Sequence, residues 1–282
     1  MKNVRIIPRL DIKGSNLVKG IRLEGLRVLG KPFRFAEYYY KSGADELIYI
    51  DVVASLYGRN SLFDEIRQTA RSLFIPLTVG GGLRTLEDIQ NVLRAGADKA
   101  CINTAGIRNP EFIRAASRKF GSSTIVVSIE VIKRDSGEYE AYTDNGRERT
   151  QLHPVSWAQR AEELGAGELL VTSIDKEGTG EGYDNNLIRS IAATVSIPTI
   201  ACGGAGNLNH ISDAVIEGKA DAVSMASVLH YGYVTQFDSA ADLDSEDDGA
   251  FLSGARQFTK VTPLTIDQIK NDLKAKNISC RI

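Results

Sequence analysis

The second half of this chain repeats the first. Gly43-Ala44-Asp45-Glu46-Leu47 returns as Gly165-Ala166-Gly167-Glu168-Leu169, and Ile75-Pro76 with Gly81-Gly82 returns as Ile197-Pro198 with Gly203-Gly204. Ala97-Asp98 returns as Ala220-Asp221, so each segment recurs 122 or 123 residues later. A period this long describes a half-domain and not one unit of a solenoid. Each copy carries a glycine pair straight after an apolar run that reads as a strand. The fold therefore presents two similar anion sites facing each other, suited to a ligand with a phosphate at each end.

Short β-branched runs alternate with amphipathic stretches along the whole chain. Strands are expected near 5–10, 47–52, 75–79, 99–103, 124–130, 168–173, 198–202 and 221–226. Helices are expected over 33–42, 61–72, 85–95, 110–119, 154–164, 185–194 and 207–217. Eight such pairs predict an α/β fold, a (β/α)8 TIM barrel with a two-fold half-barrel repeat, as one domain over 1–282. A doubly wound open sheet is the alternative, and the repeat favours the closed ring. Three segments break the alternation. Residues 12–32, with Gly14, Gly20, Gly25 and Gly30, read as a long loop after strand 1. Residues 133–150 read as a hairpin, with its turn at Lys133-Arg134-Asp135-Ser136-Gly137 and a strand at Tyr139–Thr143. Residues 233–262, rich in Asp, Glu, Ser and Gly, read as an acidic insertion between strand 8 and the last helix, which starts with a capping box at Thr265 and Gln268.

The balance of 34 basic against 36 acidic residues gives no broad electrostatic case for nucleic acid or an anionic membrane. No apolar run approaches the length of a membrane span. Arg9 and Asp11 interrupt the N-terminal apolar stretch, which does not read as a signal peptide. Cys101, Cys202 and Cys280 are odd in number and widely spaced, and read as reduced thiols of a cytoplasmic protein. His153, His210 and His230 make no metal pattern. His230-Tyr231 reads as packing more readily than as a substrate contact, and Trp157 as core.

In a barrel of this type the chemistry sits at the C-terminal ends of the strands. There, Gly81-Gly82 and Gly203-Gly204 let the backbone approach an anion closely, and the following helices offer free N–H groups. Asn103-Thr104 and Ala226-Ser227 are the companion loops. One such glycine loop reads equally well as a tight turn; two at matched positions point to phosphate. Asp11 and Glu130 end strands 1 and 5, facing each other across the mouth. Two carboxylates so placed can act as general acid and general base if their environments separate their pKa values. Loop capping is the plainer reading of either one.

At these residues the chain strongly resembles the cyclase-subunit family of imidazole glycerol phosphate synthase. The resemblance runs through Arg5-Ile6-Ile7-Pro8, Leu17-Val18-Lys19-Gly20, Ile75–Gly82, Ile102-Asn103, Thr172-Ser173-Ile174-Asp175, Gly178-Thr179 with Gly182-Tyr183-Asp184, Gly203–Asn207 and Ala226-Ser227-Val228, covering residues 5–231. The sister isomerase family shares the half-barrel repeat but is less similar around Lys19 and Gly178. The resemblance implies an ammonia-dependent cyclase and lyase of histidine biosynthesis that works without a cofactor. Its partner is a glutaminase subunit, and its substrate a phosphoribulosyl-formimino aminoimidazole nucleotide. It implies Asp11 and position 130 as the acid/base pair. It also implies substrate-binding roles for Lys19 on a mobile loop, Asp51, Thr172, Glu177 and Gly178, beside the phosphate loops. Arg5, Glu46, Lys99 and Glu168 correspond to an ammonia gate on the barrel floor, and Asp98 to a docking residue for the glutaminase. The plainer reading of the four charges is a structural plug.

Three positions depart from the family pattern. The family usually has Cys at position 9, Asp at position 130 and Asp-Gly-Thr after strand 6; here they are Arg9, Glu130 and Glu177-Gly178-Thr179. Strand alternation puts Arg5, Ile7, Arg9 and Asp11 on one face, so Arg9 is expected to point into the barrel. There it needs a carboxylate partner, either Asp11 or Glu130. A carboxylate so paired is expected to have a lowered pKa. The departures keep open a paralogue that passes ammonia to another amidation, such as amidine formation on a surface-polysaccharide sugar, and a non-catalytic activator of a glutaminase.

Overall fold

The computed structural model describes residues 3–54, 62–236 and 260–281. Eight parallel strands close into a barrel. In chain order the strands of the molecule are β1 (Arg5–Lys13), β2 (Asn16–Ile21), β3 (Glu24–Gly30), β4 (Leu47–Asp51), β5 (Leu77–Gly80) and β6 (Lys99–Ile102) in the first half. The second half adds β7 (Ile125–Lys133), β8 (Tyr139–Thr143), β9 (Glu148–Arg149), β10 (Glu168–Ser173), β11 (Thr199–Cys202) and β12 (Ala222–Met225). The ring runs β1-β4-β5-β6-β7-β10-β11-β12 and returns to β1 through the pairing of Arg5 with Ala222. All eight expected strands are present, and β1 and β7 lie opposite each other.

The duplication is visible in the hydrogen bonds. The Leu47 N–H donates to Pro76 O, and at the repeated position the Leu169 N–H donates to Pro198 O. Asp98 Oδ2 accepts from the Leu77 N–H at 2.8 Å, and Asp221 Oδ2 accepts from the Thr199 N–H at 2.9 Å. These carboxylates satisfy strand N–H groups where the ladder begins, a need that recurs in each half. The helices start where side-chain caps are available. Thr85 and Asp88 form a capping box ahead of Leu86–Ala95, and Thr265 and Gln268 form the expected one ahead of Ile266–Ala275. Asn207 caps Leu208–Ile216 through the His210 N–H.

Strand alternation sorts the apolar residues into two layers. Ile6, Leu10, Tyr49, Leu169 and Val223 pack outward against the helices, with buried Trp157 among them. Ile7, Ile48, Val126, Leu170, Ile200 and Ala222 pack inward with Cys101 and Cys202 as an apolar plug in the barrel. All three cysteines are free thiols.

Residues 12–32 are not a loop. β1 continues to Lys13 and pairs antiparallel with β2, which pairs with β3. The Arg22-Leu23 turn has both residues at positive φ, 54° and 63°, so it carries no glycine signature. The expected second hairpin, β7 with β8, is present, pairing Glu130 with Tyr142. Both halves thus send an antiparallel hairpin up from their first strand. Most of the acidic stretch expected at 233–262 lies outside the described residues; at its start, 233–236 complete the helix Ser227–Gln236.

Candidate active site

From the floor upward, the barrel interior alternates charge, oil and charge. At the floor Arg5 Nη1 donates to Glu46 Oε1 at 2.6 Å, and Arg5 Nη2 donates to Glu168. Lys99 Nζ donates to Glu46 Oε2 at 2.9 Å and to Glu168 Oε2 at 3.0 Å. Each cation touches both anions, which closes the ring expected from the sequence. Burial disfavours a charged Arg5, and the carboxylates of Glu168 and Glu46 outweigh it, so its pKa rises above the ordinary arginine value. Asp98 is exposed beside the ring.

Above the floor lies the apolar plug of Ile7, Ile48, Val126 and Leu170. Above that lies Arg9, 2 % exposed and pointing inward as strand parity requires. Its Nε donates to Asp11 Oδ1 at 2.8 Å, and its Nη1 reaches Thr172 Oγ1 at 3.4 Å and Cys202 Sγ at 3.5 Å. Of the two partners open to Arg9, the ion pair forms with Asp11. A second buried pair stands beside it, Lys19 with Glu177. Burial alone pushes Glu177 up, and Lys19 and Arg9 overcome it, holding the carboxyl below the ordinary glutamate value. Lys19 lies in β2 and not on a free loop, and the Arg22 N–H donates to Glu177 O at 2.8 Å. Gly178 lies against the same hairpin: a Cβ there would stand 2.5 Å from Gly20 O.

Glu130 is the carboxylate left unpaired by Arg9. Burial is the largest effect and Asp11 adds to it, while Arg9 and the Gly146 N–H oppose, and the carboxyl is pushed up to about 7. Desolvation outweighs the guanidinium because Arg9 spends its hydrogen bonds on Asp11. Glu130 Oε2 is buried with no hydrogen-bond partner among the described residues.

A cavity of about 310 Å³ opens above this layer. Its walls include Arg9 and Glu130, and of the expected binding residues Asp51, Gly81, Gly82, Asn103 and Thr104. Gly81 has φ 96°, and a Cβ there would meet Asp51 O at 2.2 Å. Only glycine allows that approach. Asp11, two residues further up β1 than Arg9, is buried and is not part of this wall. Lys19, Thr172, Glu177, Gly178, Gly203, Gly204, Ala226 and Ser227 are not part of it either. They belong to the other side of the mouth, where a Cβ on Gly203 would stand 3.2 Å from Glu177 Oε2. The two glycine loops thus stand on opposite sides of the mouth, Gly81-Gly82 open to the cavity and Gly203-Gly204 packed against Glu177 and Gly182.

Further residues in its wall include Arg84, Arg108, Ser128, Asp144 and Asn145. Arg108 Nη2 donates to Asp144 Oδ2 at 2.7 Å, and the Asp144 N–H donates to Thr104 Oγ1 at 3.0 Å. The second hairpin is thus tied to the loop that follows β6. The signal in the sequence was proximity: Arg84 follows the Gly81-Gly82 pair and Arg108 follows Thr104. His230 is fully buried, with Tyr39 Oη 2.6 Å from its Nδ1 and burial driving its pKa down to about 3, as a packing role requires.

The model of the histidine biosynthesis protein family matches residues 5–235. The imidazole glycerol phosphate synthase subunit HisF of Legionella pneumophila is 54% identical over 212 residues, which is 75% of this chain and 100% of that protein. With the closed eight-strand barrel and its repeated glycine loops, this match establishes that the chain belongs to the histidine biosynthesis protein family.

Proposed function

We propose that this chain is the cyclase subunit of an imidazole glycerol phosphate synthase. Ammonia released from glutamine by a partner glutaminase crosses the floor ring and the apolar plug to the cavity. There it attacks the formimino carbon of a phosphoribulosyl-formimino aminoimidazole carboxamide ribotide. The new C–N bond forms, the bond to the aminoimidazole carboxamide ribotide breaks, and ring closure with loss of water gives imidazole glycerol phosphate. Gly81, Gly82, Asn103 and Thr104 serve one phosphate; Gly203, Gly204, Ala226 and Ser227, with Thr172 and Gly178, serve the other. Asp51 lines the first-phosphate side, and Lys19 passes from Glu177 to the substrate when the hairpin lifts. Asp98 faces the glutaminase.

One observation carries this reading. Two buried carboxylates, Asp11 and Glu130, stand on opposite strands at one mouth in different environments, one ion-paired and one with a free oxygen and a pKa near 7. Acid/base chemistry near neutral pH needs that asymmetry. The apolar walls below them suit neutral ammonia and oppose ammonium, whose charge is costly to desolvate.

The test is turnover of the purified subunit with the formimino nucleotide and ammonium salt at high pH, which dispenses with the glutaminase. Wild type turns over and Asp11→Asn does not. A second reading rests on Arg9, which fills the interior where the family pattern has Cys: the chain passes ammonia to another amidation. Wild type that binds the nucleotide yet leaves it unchanged would replace the first reading with the second.

A further inference from the structure

We propose that Arg108 is a ligand-binding residue of the cavity, reading a phosphate that lies against Asn103 and Thr104, and that Asp144 is the positioning residue that holds it there. The inference rests on the reading of Asn103 and Thr104 as phosphate contacts. Thr104 and Arg108 open and close one short helix, Thr104–Arg108, four residues apart and therefore on one face of it. Both side chains belong to the cavity wall. A phosphate beside the Thr104 hydroxyl would thus lie within the sweep of the Arg108 guanidinium.

The hairpin tip fixes where that guanidinium goes. Asp144 and Asn145 turn the chain at positive φ, 53° and 59°, a conformation uncommon for residues other than glycine. The turn is held in place from the loop after β6, because the Asp144 N–H donates to Thr104 Oγ1 at 3.0 Å and Asn103 Nδ2 donates to Tyr142 O at 3.4 Å. The Asp144 side chain is 10 % exposed and accepts from Arg108 Nη2 at 2.7 Å. Arg108 itself is 66 % exposed, so the pair contributes little to stability. Its consequence is geometric. A guanidinium carries further donors beyond the one given to Asp144, in a flat fork that matches a phosphate.

The neighbouring charges single out this arginine. Arg9, also in the wall, is buried and committed to Asp11. Asp144 by itself would repel an anion from Thr104, and Arg108 converts that repulsion into an anchored cation. The arrangement suits a ligand whose terminal group is a phosphate and disfavours one that ends there in a neutral hydroxyl.

The test uses inorganic phosphate as the probe and the full chain, following the backbone N–H resonances of Gly82 and Thr104 by nitrogen-15 NMR. Wild type is expected to show saturable shifts at both. Arg108→Gln is expected to bind phosphate about five- to tenfold more weakly, as loss of a partly exposed charged hydrogen bond implies, with its urea midpoint close to wild type. Arg108→Lys keeps the charge without the fork and should fall between the two. Lys119→Gln removes the same charge from an exposed helix position outside the cavity and should bind as wild type. The double variant Arg108→Gln with Asp144→Asn separates contact from masking. If Arg108 touches the anion, the double variant stays several-fold weaker than wild type; recovery to the wild-type value would mean that Arg108 merely masks Asp144, and would overturn the proposal. So would equal binding by Arg108→Gln and wild type, equal losses in Arg108→Gln and Lys119→Gln, or wild-type resonances that do not respond to phosphate. Inorganic phosphate undergoes no turnover, so a wild type that binds it here yet leaves the formimino nucleotide unchanged defeats the cyclase reading and leaves this result intact.

Discussion

Glutamate 130 should make the protein less stable as the pH rises, and Glu130→Gln should abolish that dependence. An ordinary glutamate titrates at 4.5, and the buried Glu130 at about 7. Between those values the folded chain binds a proton that the unfolded chain has released. Stability therefore falls as pH rises through this window and then levels off above about 7. At roughly 1.4 kcal/mol for each pH unit, the full loss is about 3 kcal/mol. Some of it is already spent at pH 5, so the step between pH 5 and pH 8 is about 2 to 3 kcal/mol. Glutamine keeps the shape and cannot ionise. Any cost of its unpaired amide is the same at both pH values and cancels in the double difference. Urea unfolding of wild type and variant at about pH 5 and about pH 8 reads the effect directly. The variant gains on wild type at the higher pH by that step, about fifty-fold in the folding constant. Curves that stay parallel between the two pH values would refute the burial argument for Glu130.

Other consequences follow from the same geometry. Lys99→Met removes two contacts from the floor ring and leaves Glu46 and Glu168 sharing Arg5 alone. The expected cost is about 2 kcal/mol in urea unfolding, below the full cost of breaking a buried pair because Arg5 remains. Ammonium-driven turnover at the top should be little changed. Gly204→Ala forces φ 112° on a residue with a Cβ and drives that Cβ to 2.1 Å from Gly182 O. A loss of about 2 to 4 kcal/mol is expected, together with weaker nucleotide binding measured by calorimetry.

Much of this was legible in the residues, and for physical reasons. The half-barrel repeat survives in sequence because each copy must solve the same problems: a strand N–H to cap at Leu77 and Thr199, and a tight loop at positive φ at Gly81 and Gly203, where a Cβ would meet the backbone of the preceding strand's end. Strand parity sufficed to turn Arg9 inward, since a period of two leaves only two faces. The β2–β3 hairpin was missed because Arg22 and Leu23 adopt positive φ without the Asn or Gly that usually marks such a turn. Which carboxylate pairs with Arg9, and so the direction of the Glu130 shift, was not legible in the sequence. A sequence can name the nearby cation, but only the packed structure shows that burial outweighs it and that Arg9 is committed to Asp11. Arg84, Arg108 and Asp144 reach the cavity from loops whose paths depend on contacts distant in sequence.

The apolar plug inside the barrel acts as an insulator. About 13 Å of strand separates Arg5 on the floor from Arg9 at the top, and the residues between carry no charge on the inner face. Substitutions at the two ends should accordingly add in their effects on stability, as they do for sites that share no partners. Such a barrel is modular along its own axis. The floor and the top can change independently, and Arg5 with Arg9 on a single strand shows one end matching the family pattern and the other departing from it.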